Sequence, residues 1–364
     1  MILKEPESIL YEILEDIKTT FGISIFDAEP ISFGYANLKW RISTTSGMLF
    51  VKQYHYGRYP EELLKSVAVA LEVQNMLSQN GIPCPKLLKT KNGFINRTMS
   101  GERYVLTEYC EGKMVTPGNV SADQMKHLGQ AVGKMHYILN RKAPQSLPLH
   151  WQPDSKEVTL SNWEKNWQKA VSVGSNKYIN ALEVQKKIID QINLDIFSSC
   201  EEGWAHWDLF IDNLLFHDDK LSAILDFDRL NYIYQEFDIS RPLLSGAINN
   251  NKLVFESAKA FLEGYKENMP LSLKKLLRSI KLTWWKEAAW VNVNSENIRT
   301  LSRFADELIW VGENWTILED IFNDKSIPMK PPASYNNMFT LRDIRPSVAR
   351  GISGSGLRRH IRTT

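Results

Sequence analysis

The sequence predicts an α+β protein built in two lobes, a small β-rich lobe with one long helix and then a larger α-rich lobe. Three observations carry this. β-branched and aromatic strand-like runs are confined to the first hundred or so residues, and one run of helical period interrupts them. Beyond Gly112 helical periodicity dominates. The 364 residues exceed one ordinary domain of about 100 to 200 residues, so two tightly joined units fit the length.

Taken in order, residues 4–18 space Ile9, Leu10, Ile13, Leu14 and Ile17 along one helical face, so an amphipathic helix precedes the first strand. Residues 31–43 and 48–54 flank Thr44-Thr45-Ser46-Gly47 and predict an antiparallel hairpin. Residues 61–79 carry Leu63, Leu64, Val67, Ala70, Leu71, Met76 and Leu77 at helical spacing, and Gly81-Ile82-Pro83 stops that helix. A strand over 103–108 leads into Tyr109-Cys110-Glu111-Gly112 and closes a first lobe of residues 1–108. In the second lobe, 109–340, helices are predicted over 121–139 with Ser121 as N-cap, and over 179–197, 252–268, 272–292 and 298–322. One β island interrupts them, where residues 213–217 and 221–226 flank Asp218-Asp219-Lys220. Residues 341–364 read as an extended tail, native or vector-derived, that does not pack.

Composition excludes several classes. Hydrophobic residues at 43% and charged residues at 24% rule out intrinsic disorder and a disulfide-stapled miniprotein. A net charge of +2 is too balanced for a protein whose whole surface binds nucleic acid, although the tail from Arg342 holds six Arg against Asp343. Cys84, Cys110 and Cys200 are odd in number and form no C-x-x-C pair, which points to a reducing, cytoplasmic compartment. The acidic N-terminus lacks the pattern of a signal peptide, and no apolar run is long enough to span a membrane.

The densest chemistry lies in His206-Trp207-Asp208-Leu209-Phe210-Ile211-Asp212-Asn213, followed by Leu225-Asp226-Phe227-Asp228. Asp208 and Asn213 are five residues apart, so one loop presents a carboxylate to a substrate hydroxyl and an amide oxygen to a metal. Asp226, at a strand end, supplies a second hard oxygen for Mg²⁺. Lys52, inside a strand, offers a cation for donor phosphates, and Glu72 on the long helix is placed to hold Lys52 by an ion pair. Phosphoryl transfer needs these parts.

The chain resembles the aminoglycoside phosphotransferase and choline kinase group of protein-kinase-like enzymes. Gly34, Asn37, Lys52, Glu72, Gly81-Ile82-Pro83-Cys84-Pro85, Leu128-Gly129, Met135-His136, the 206–213 loop and Asp226 fall in family order over residues 25–310. The 206–216 string is especially similar to bacterial type II homoserine kinases. The resemblance implies a bilobal protein-kinase-like fold and ATP with Mg²⁺ as cofactors, GTP remaining open. It implies Asp208 as catalytic base, Asn213 and Asp226 as metal ligands, and Lys52 on the α and β phosphates. It further implies Glu72 positioning Lys52, Gly34 in the nucleotide loop, and the backbone of Glu108 to Cys110 at the adenine. Asp238 matches an acid that braces the catalytic loop. Asp-Phe-Gly and Ala-Pro-Glu signatures are missing, which favours a small-molecule acceptor.

One departure is clear: the family's His-Gly-Asp reads His206-Trp207-Asp208 here. Protein kinases carry Arg at this place, so the backbone is not expected to demand Gly, and Trp207 is expected to line or narrow an acceptor pocket together with Asp212 and Asp228. His206 reads as a loop-bracing residue. Gly129-Gln130-Ala131-Val132-Gly133-Lys134 lacks P-loop spacing and reads as a helix face.

Between Trp290 and Asp324 seven acids stand against Arg299 and Arg303, an acidic wall suited to a cationic acceptor. The expectation is therefore ATP-dependent phosphorylation of a hydroxyl on a small, amine-bearing molecule, an antibiotic ahead of a homoserine- or choline-type metabolite. A non-catalytic, spore-coat-like kinase fold is the alternative class. The expected partner is a hydroxylated small molecule, with no nucleic acid and no membrane, and the protein is expected as a monomer or homodimer.

Overall fold

The computed structural model describes residues 5–32, 37–297 and 299–323, so Gly34 and the basic tail lie outside the described residues. The chain opens on helix α1 (Pro6–Phe21), with proline in its first turn and Gly22 at φ 66 as its left-handed stop. A five-stranded sheet follows in the order β1-β2-β3-β5-β4. Its strands are β1 (Ile25–Pro30), β2 (Lys39–Thr44), β3 (Gly47–Gln53), β4 (Ile95–Arg97) and β5 (Arg103–Glu108). The hairpin expected around residues 44–47 is β2–β3, with Thr44 opposite Gly47.

Side-chain alternation along β3 decides the position of Lys52. Leu49 and Val51 face α1, where Ile9, Ile13 and Ile17 pack on them with Trp40, Ile42 and Leu106. Lys52 therefore projects from the opposite face, the one covered by α2 (Glu61–Gln79) through Leu64, Val67 and Leu71. Lys39 on β2 and Val105 on β5 flank it in register.

The remainder is mainly helical: α3 (Ala122–Lys142), α4 (Lys156–Val173), α5 (Asn176–Gln191), α6 (Phe237–Ala247), α7 (Phe255–Lys266), α8 (Leu273–Glu287), α9 (Arg299–Glu313) and α10 (Leu318–Phe322). Ser121 caps α3 in a reciprocal box with Gln124. Gly129 and Gly133 lie on the face of α3 that crosses α7. A Cβ on Gly129 would stand 2.1 Å from the Phe261 carbonyl oxygen, and one on Gly133 2.6 Å from that of Tyr265. Their spacing serves close helix packing, in agreement with the helix-face reading.

Three short antiparallel pairs punctuate the helices: β6 (Glu202–Ala205) with β9 (Asn231–Tyr234), β7 (Leu214–His217) with β8 (Lys220–Ile224), and β10 (Ile248–Asn249) with β11 (Lys252–Leu253). The expected island at 213–226 is β7–β8. Strands β1, β4, β6, β9, β10 and β11 and helices α4 and α6 were not anticipated, and the helix expected over 252–268 begins only at Phe255, after β11. β1 is an exposed edge carrying Asp27, Glu29 and Pro30, which hides any alternation. All 11 residues of α6 are buried around an internal Pro242, so it shows no amphipathic period. The predicted helix over 298–322 divides into α9 and α10.

Candidate active site

The expected catalytic loop runs between β6 and β7. Its geometry is set by a carboxylate one helix away, because Asp238, wholly buried in the first turn of α6, accepts from the backbone N–H of His206 at 2.6 Å and of Trp207 at 2.9 Å. His136 on α3 approaches the same carboxylate through Nε2 at 3.3 Å, and its Nδ1 is 2.9 Å from the Tyr265 hydroxyl. Asp238 thus occupies the bracing position expected of it. His206 bonds the Leu225 carbonyl through Nε2 at 3.0 Å, so that nitrogen carries the proton, and Nδ1 accepts from the Asp208 N–H at 3.3 Å. It joins the loop to the strand end that presents Asp226.

Trp207 corrects the sequence reading of the backbone. Its φ is 64, in the left-handed region that favours glycine and that costs a bulky residue about 1–2 kcal/mol. The turn is needed so that two successive N–H groups reach Asp238. Contacts of the indole with His150 at 5.4 Å and Phe237 at 6.5 Å between ring centres offset this strain.

Asp208 and Asn213 meet as their spacing implied. The Asn213 Nδ2 donates to the Asp208 carbonyl at 2.8 Å and to its carboxylate Oδ2 at 3.0 Å, which leaves Oδ1 as the amide's acceptor atom. Arg229 lies 3.5 Å from the other carboxylate oxygen. Burial pushes the Asp208 carboxyl above its ordinary value, Arg229 opposes the rise, and nearby Asp226 adds to it.

Lys52 reaches across to Asp226 at 2.8 Å and Asp228 at 2.7 Å. Burial alone would lower its ammonium, yet the two carboxylates hold it above the usual lysine range. Burial would likewise raise Asp226, but the charge and hydrogen bond of Lys52 hold it at about 2. The expected Lys52–Glu72 pair does not form. Glu72 lies on the exposed side of α2 and pairs with Lys89 at 2.8 Å, and Asp228 takes the place foreseen for it. Asp228 also accepts from the hydroxyls of Tyr54 at 3.0 Å and Tyr59 at 2.8 Å, so it belongs to the lysine's anchorage and not to an acceptor pocket. These tyrosines were missed, because nothing in their local pattern marks them. Asn37 Nδ2 touches the Tyr59 hydroxyl at 3.4 Å, while its Oδ1 is buried without a hydrogen-bond partner.

Glu108 ends β5, and Cys110 follows in the link to Gly112. That link is tied to β7 by reciprocal bonds between Lys113 and Phe216 at 2.8 and 2.9 Å. A Cβ on Gly112, at φ 144, would meet Ser222 Oγ at 2.3 Å. A cavity of about 740 Å³ bordered by Thr20, Lys89, Asn92 and Arg97 contains none of these residues and is not the site.

A family model described as the phosphotransferase enzyme family matches residues 27–269. The chain belongs to this family. The phosphotransferase is 25% identical over 280 residues to the homoserine kinase of Zymomonas mobilis, covering 74% of this chain and 83% of that one. It is 26% identical over 242 residues to the homoserine kinase of Rhodopseudomonas palustris, covering 66% and 70%. Among solved structures it is similar to choline kinase from Cryptosporidium parvum, with TM-score 0.54 and 15% identity over 86% of this chain and 98% of that one. A microcompartment-associated aminopropanol kinase gives TM-score 0.58 at 14% identity over 85% and 99%. An amicoumacin kinase in complex with AMP-PNP and Ca²⁺ gives 0.51 at 18% over 83% and 95%. The phosphotransferase has the protein-kinase-like fold and is a small-molecule kinase. No helix among its described residues is long and apolar enough to cross a membrane.

The residues fit a nucleotide and a divalent ion. Among the described residues no three His, Cys, Asp or Glu side chains form a closed metal cage. Asp226 and the Asn213 Oδ1 are a pair of hard oxygens of the kind that holds Mg²⁺ jointly with substrate phosphates. The orphaned Asn37 oxygen is linked through Tyr59 and Asp228 to the buried Lys52 cation, a polar set of the kind that meets phosphate oxygens.

Three acids of the expected acidic wall, Asp306, Glu307 and Glu313, are already partnered, and Glu296 and Asp324 have side chains outside the described residues. Asp212, expected at the acceptor site, is held by Arg303 in a two-pronged pair at 3.1 and 2.6 Å. Glu307 pairs with Arg241 and Arg303, Asp306 with Lys177 at 2.6 Å, and Glu313 with Asn251 at 3.1 Å. Arg229 lies against the Asp208 carboxylate, and Lys286, on α8, is within its electrostatic reach.

Proposed function

We propose that this phosphotransferase transfers the γ-phosphoryl group of ATP to the hydroxyl of a small hydroxy amino acid of the homoserine type. The observation that carries the reading is the Asp208–Asn213 pair, held in a loop braced by Asp238 and facing the Lys52–Asp226 pair. Asp208 accepts the hydrogen bond of the acceptor hydroxyl, orients it, and takes its proton as the new O–P bond forms and the bond to ADP breaks. Burial, by raising its carboxyl, brings this base closer to its working range. Asn213 fixes the carboxylate's rotamer, and Lys52 offers its charge to the donor phosphates. Mg²⁺, when bound, would be held by Asp226 and Asn213 and would neutralise charge on those phosphates.

The homoserine kinases of Zymomonas mobilis and Rhodopseudomonas palustris, matched over 83% and 70% of their lengths, favour a metabolic acceptor. The antibiotic reading has only fold likeness below 20% identity behind it, and such likeness specifies no acceptor. The test is acceptor-dependent ADP release from Mg-ATP with homoserine, choline, amino alcohols and hydroxylated antibiotics, with Asp208→Asn as the blank. Turnover of homoserine that vanishes in the blank is the expected result. Turnover confined to an antibiotic would overturn the acceptor class.

A further inference from the structure

We infer that the acceptor pocket beside Asp208 is built to grip a carboxylate, with Lys286, Arg229 and the indole N–H of Trp207 as its donors. The inference rests on the phosphoryl-transfer reading and adds which group of the acceptor is recognised and by what.

The Lys286 ammonium, on the last turn of α8, lies 5.2 Å from the ring centre of Trp207, 5.4 Å from Phe237 and 5.9 Å from Trp290. Its side chain is 13% exposed, and its nearest carboxylate oxygen, on Glu287, is 3.7 Å away. The other oxygen of Glu287 is engaged by Arg241. Lys286 therefore presents three N–H donors in an aromatic setting where carboxylate contact is weak. Burial, with the guanidinium groups of Arg229 and Arg241 against the pull of Glu287, holds its ammonium below the usual lysine value, a state that an arriving anion reverses.

Two independent observations concern the residues around this ammonium. The Trp207 Nε1 is buried and has no hydrogen-bond partner, a vacancy for an acceptor oxygen. Arg229 is about half exposed and touches Asp208 at 3.5 Å, so its fork is at the pocket mouth beside the reacting hydroxyl. An acceptor recognised only through an amine has little to bind here. The three rings that would cage a substrate ammonium already hold Lys286, and Asp212 and Glu307 are paired internally.

The test compares kcat/KM for L-homoserine, for 3-aminopropan-1-ol, which lacks the carboxylate, and for 4-hydroxybutyrate, which lacks the amine. Wild-type enzyme is expected to prefer both carboxylated alcohols to the amino alcohol. Lys286→Met and Arg229→Gln are each expected to shrink that preference roughly 10- to 100-fold through the acceptor KM, the range for a lost charge-assisted hydrogen bond. Lys286→Arg should keep it, and Trp207→Phe should lower it several-fold. Thermal melting and ATP affinity establish that each variant is folded, and Arg229→Gln carries the test if Lys286→Met does not fold. A wild-type preference for the amino alcohol, or an undiminished carboxylate preference in folded Lys286→Met and Arg229→Gln, would overturn the inference while leaving the kinase reading intact. No acceptor-dependent ADP release from any of the three, or from the wider panel, would overturn the phosphoryl-transfer reading itself.

Discussion

Replacing Asp228 by Asn tests the finding that this carboxylate, and not Glu72, anchors Lys52, the lysine proposed to meet the donor phosphates. Lys52 is 8% exposed and Asp228 9%, and they meet at 2.7 Å, while the second partner, Asp226, is 36% exposed. Asp228→Asn removes the more deeply buried countercharge and turns an acceptor for two tyrosine hydroxyls into an amide. A hydrogen bond to a charged group contributes about 1.5–3 kcal/mol, which at about 1.36 kcal/mol per tenfold is a loss of roughly 10- to 150-fold in kcat/KM for ATP. The Glu72–Lys89 pair is half exposed on both sides, where such pairs contribute about 0–1 kcal/mol, and it touches nothing in the cleft. Glu72→Gln should therefore leave kcat/KM for ATP within about twofold of wild type. The assay is steady-state turnover with ATP varied at saturating acceptor, and Tyr54→Phe should fall between the two. A tenfold loss in Glu72→Gln with Asp228→Asn near wild type would refute the assignment, since it would mean that turnover uses a Lys52–Glu72 pair.

Four further outcomes follow from the geometry. Asp208→Asn should abolish transfer yet bind ATP within a fewfold of wild type by calorimetry, because the base serves the acceptor side. As pH falls through the raised Asp208 value the base gains its proton and activity is lost; Arg229→Gln removes a charge that pulls this value down, so the acid limb of kcat/KM should move to higher pH, and a downward move would contradict the electrostatics. Asp238→Ala leaves the His206 and Trp207 N–H groups and His136 without their buried acceptor and should cost about 3–5 kcal/mol in denaturant unfolding, whereas a loss below about 1 kcal/mol would remove its bracing role. Gly129→Ala should destabilise by about 1–3 kcal/mol despite the better helix propensity of alanine, because its Cβ has no room against α7.

The residues of the proposed phosphate side could be picked out of the sequence because they sit in short strings. Asp208 and Asn213 share one loop, Asp226 lies two residues past the end of β8, and alternation in β3 turns Lys52 toward them. The partner of Lys52 was less legible, although a signal existed. On α2 the buried positions Leu64, Val67, Leu71 and Gln74 define one face, and Glu72 lies about a quarter turn off it with exposed Lys65 and Val69. Reading that face first would have excluded Glu72. Finding Asp228 instead required a contact across 176 residues, which no local pattern carries. Trp207 shows the opposite difficulty. Its identity drew attention to the acceptor pocket, but the left-handed backbone follows from the paired N–H groups pointing at Asp238 from a different helix.

Charge counting along the sequence misses the pairing of individual acids, for a reason that applies beyond this protein. The segment from Trp290 to Asp324 is acidic in sequence because its countercharges, Arg241 and Lys177, come from other parts of the chain. Once the fold joins them, Glu307 and Asp306 are neutralised in place, and Arg303 from the segment itself holds Asp212 of the catalytic loop. The cations facing Asp208 are drawn from two further elements, Arg229 after β8 and Lys286 on α8, and neither stands out in a window count. The potential that an acceptor meets is therefore set by which charges lack a full partner at the pocket, and here those are positive. A hydroxy acid entering such a site aligns its anionic end with Lys286 and Arg229, which leaves its hydroxyl free to reach Asp208.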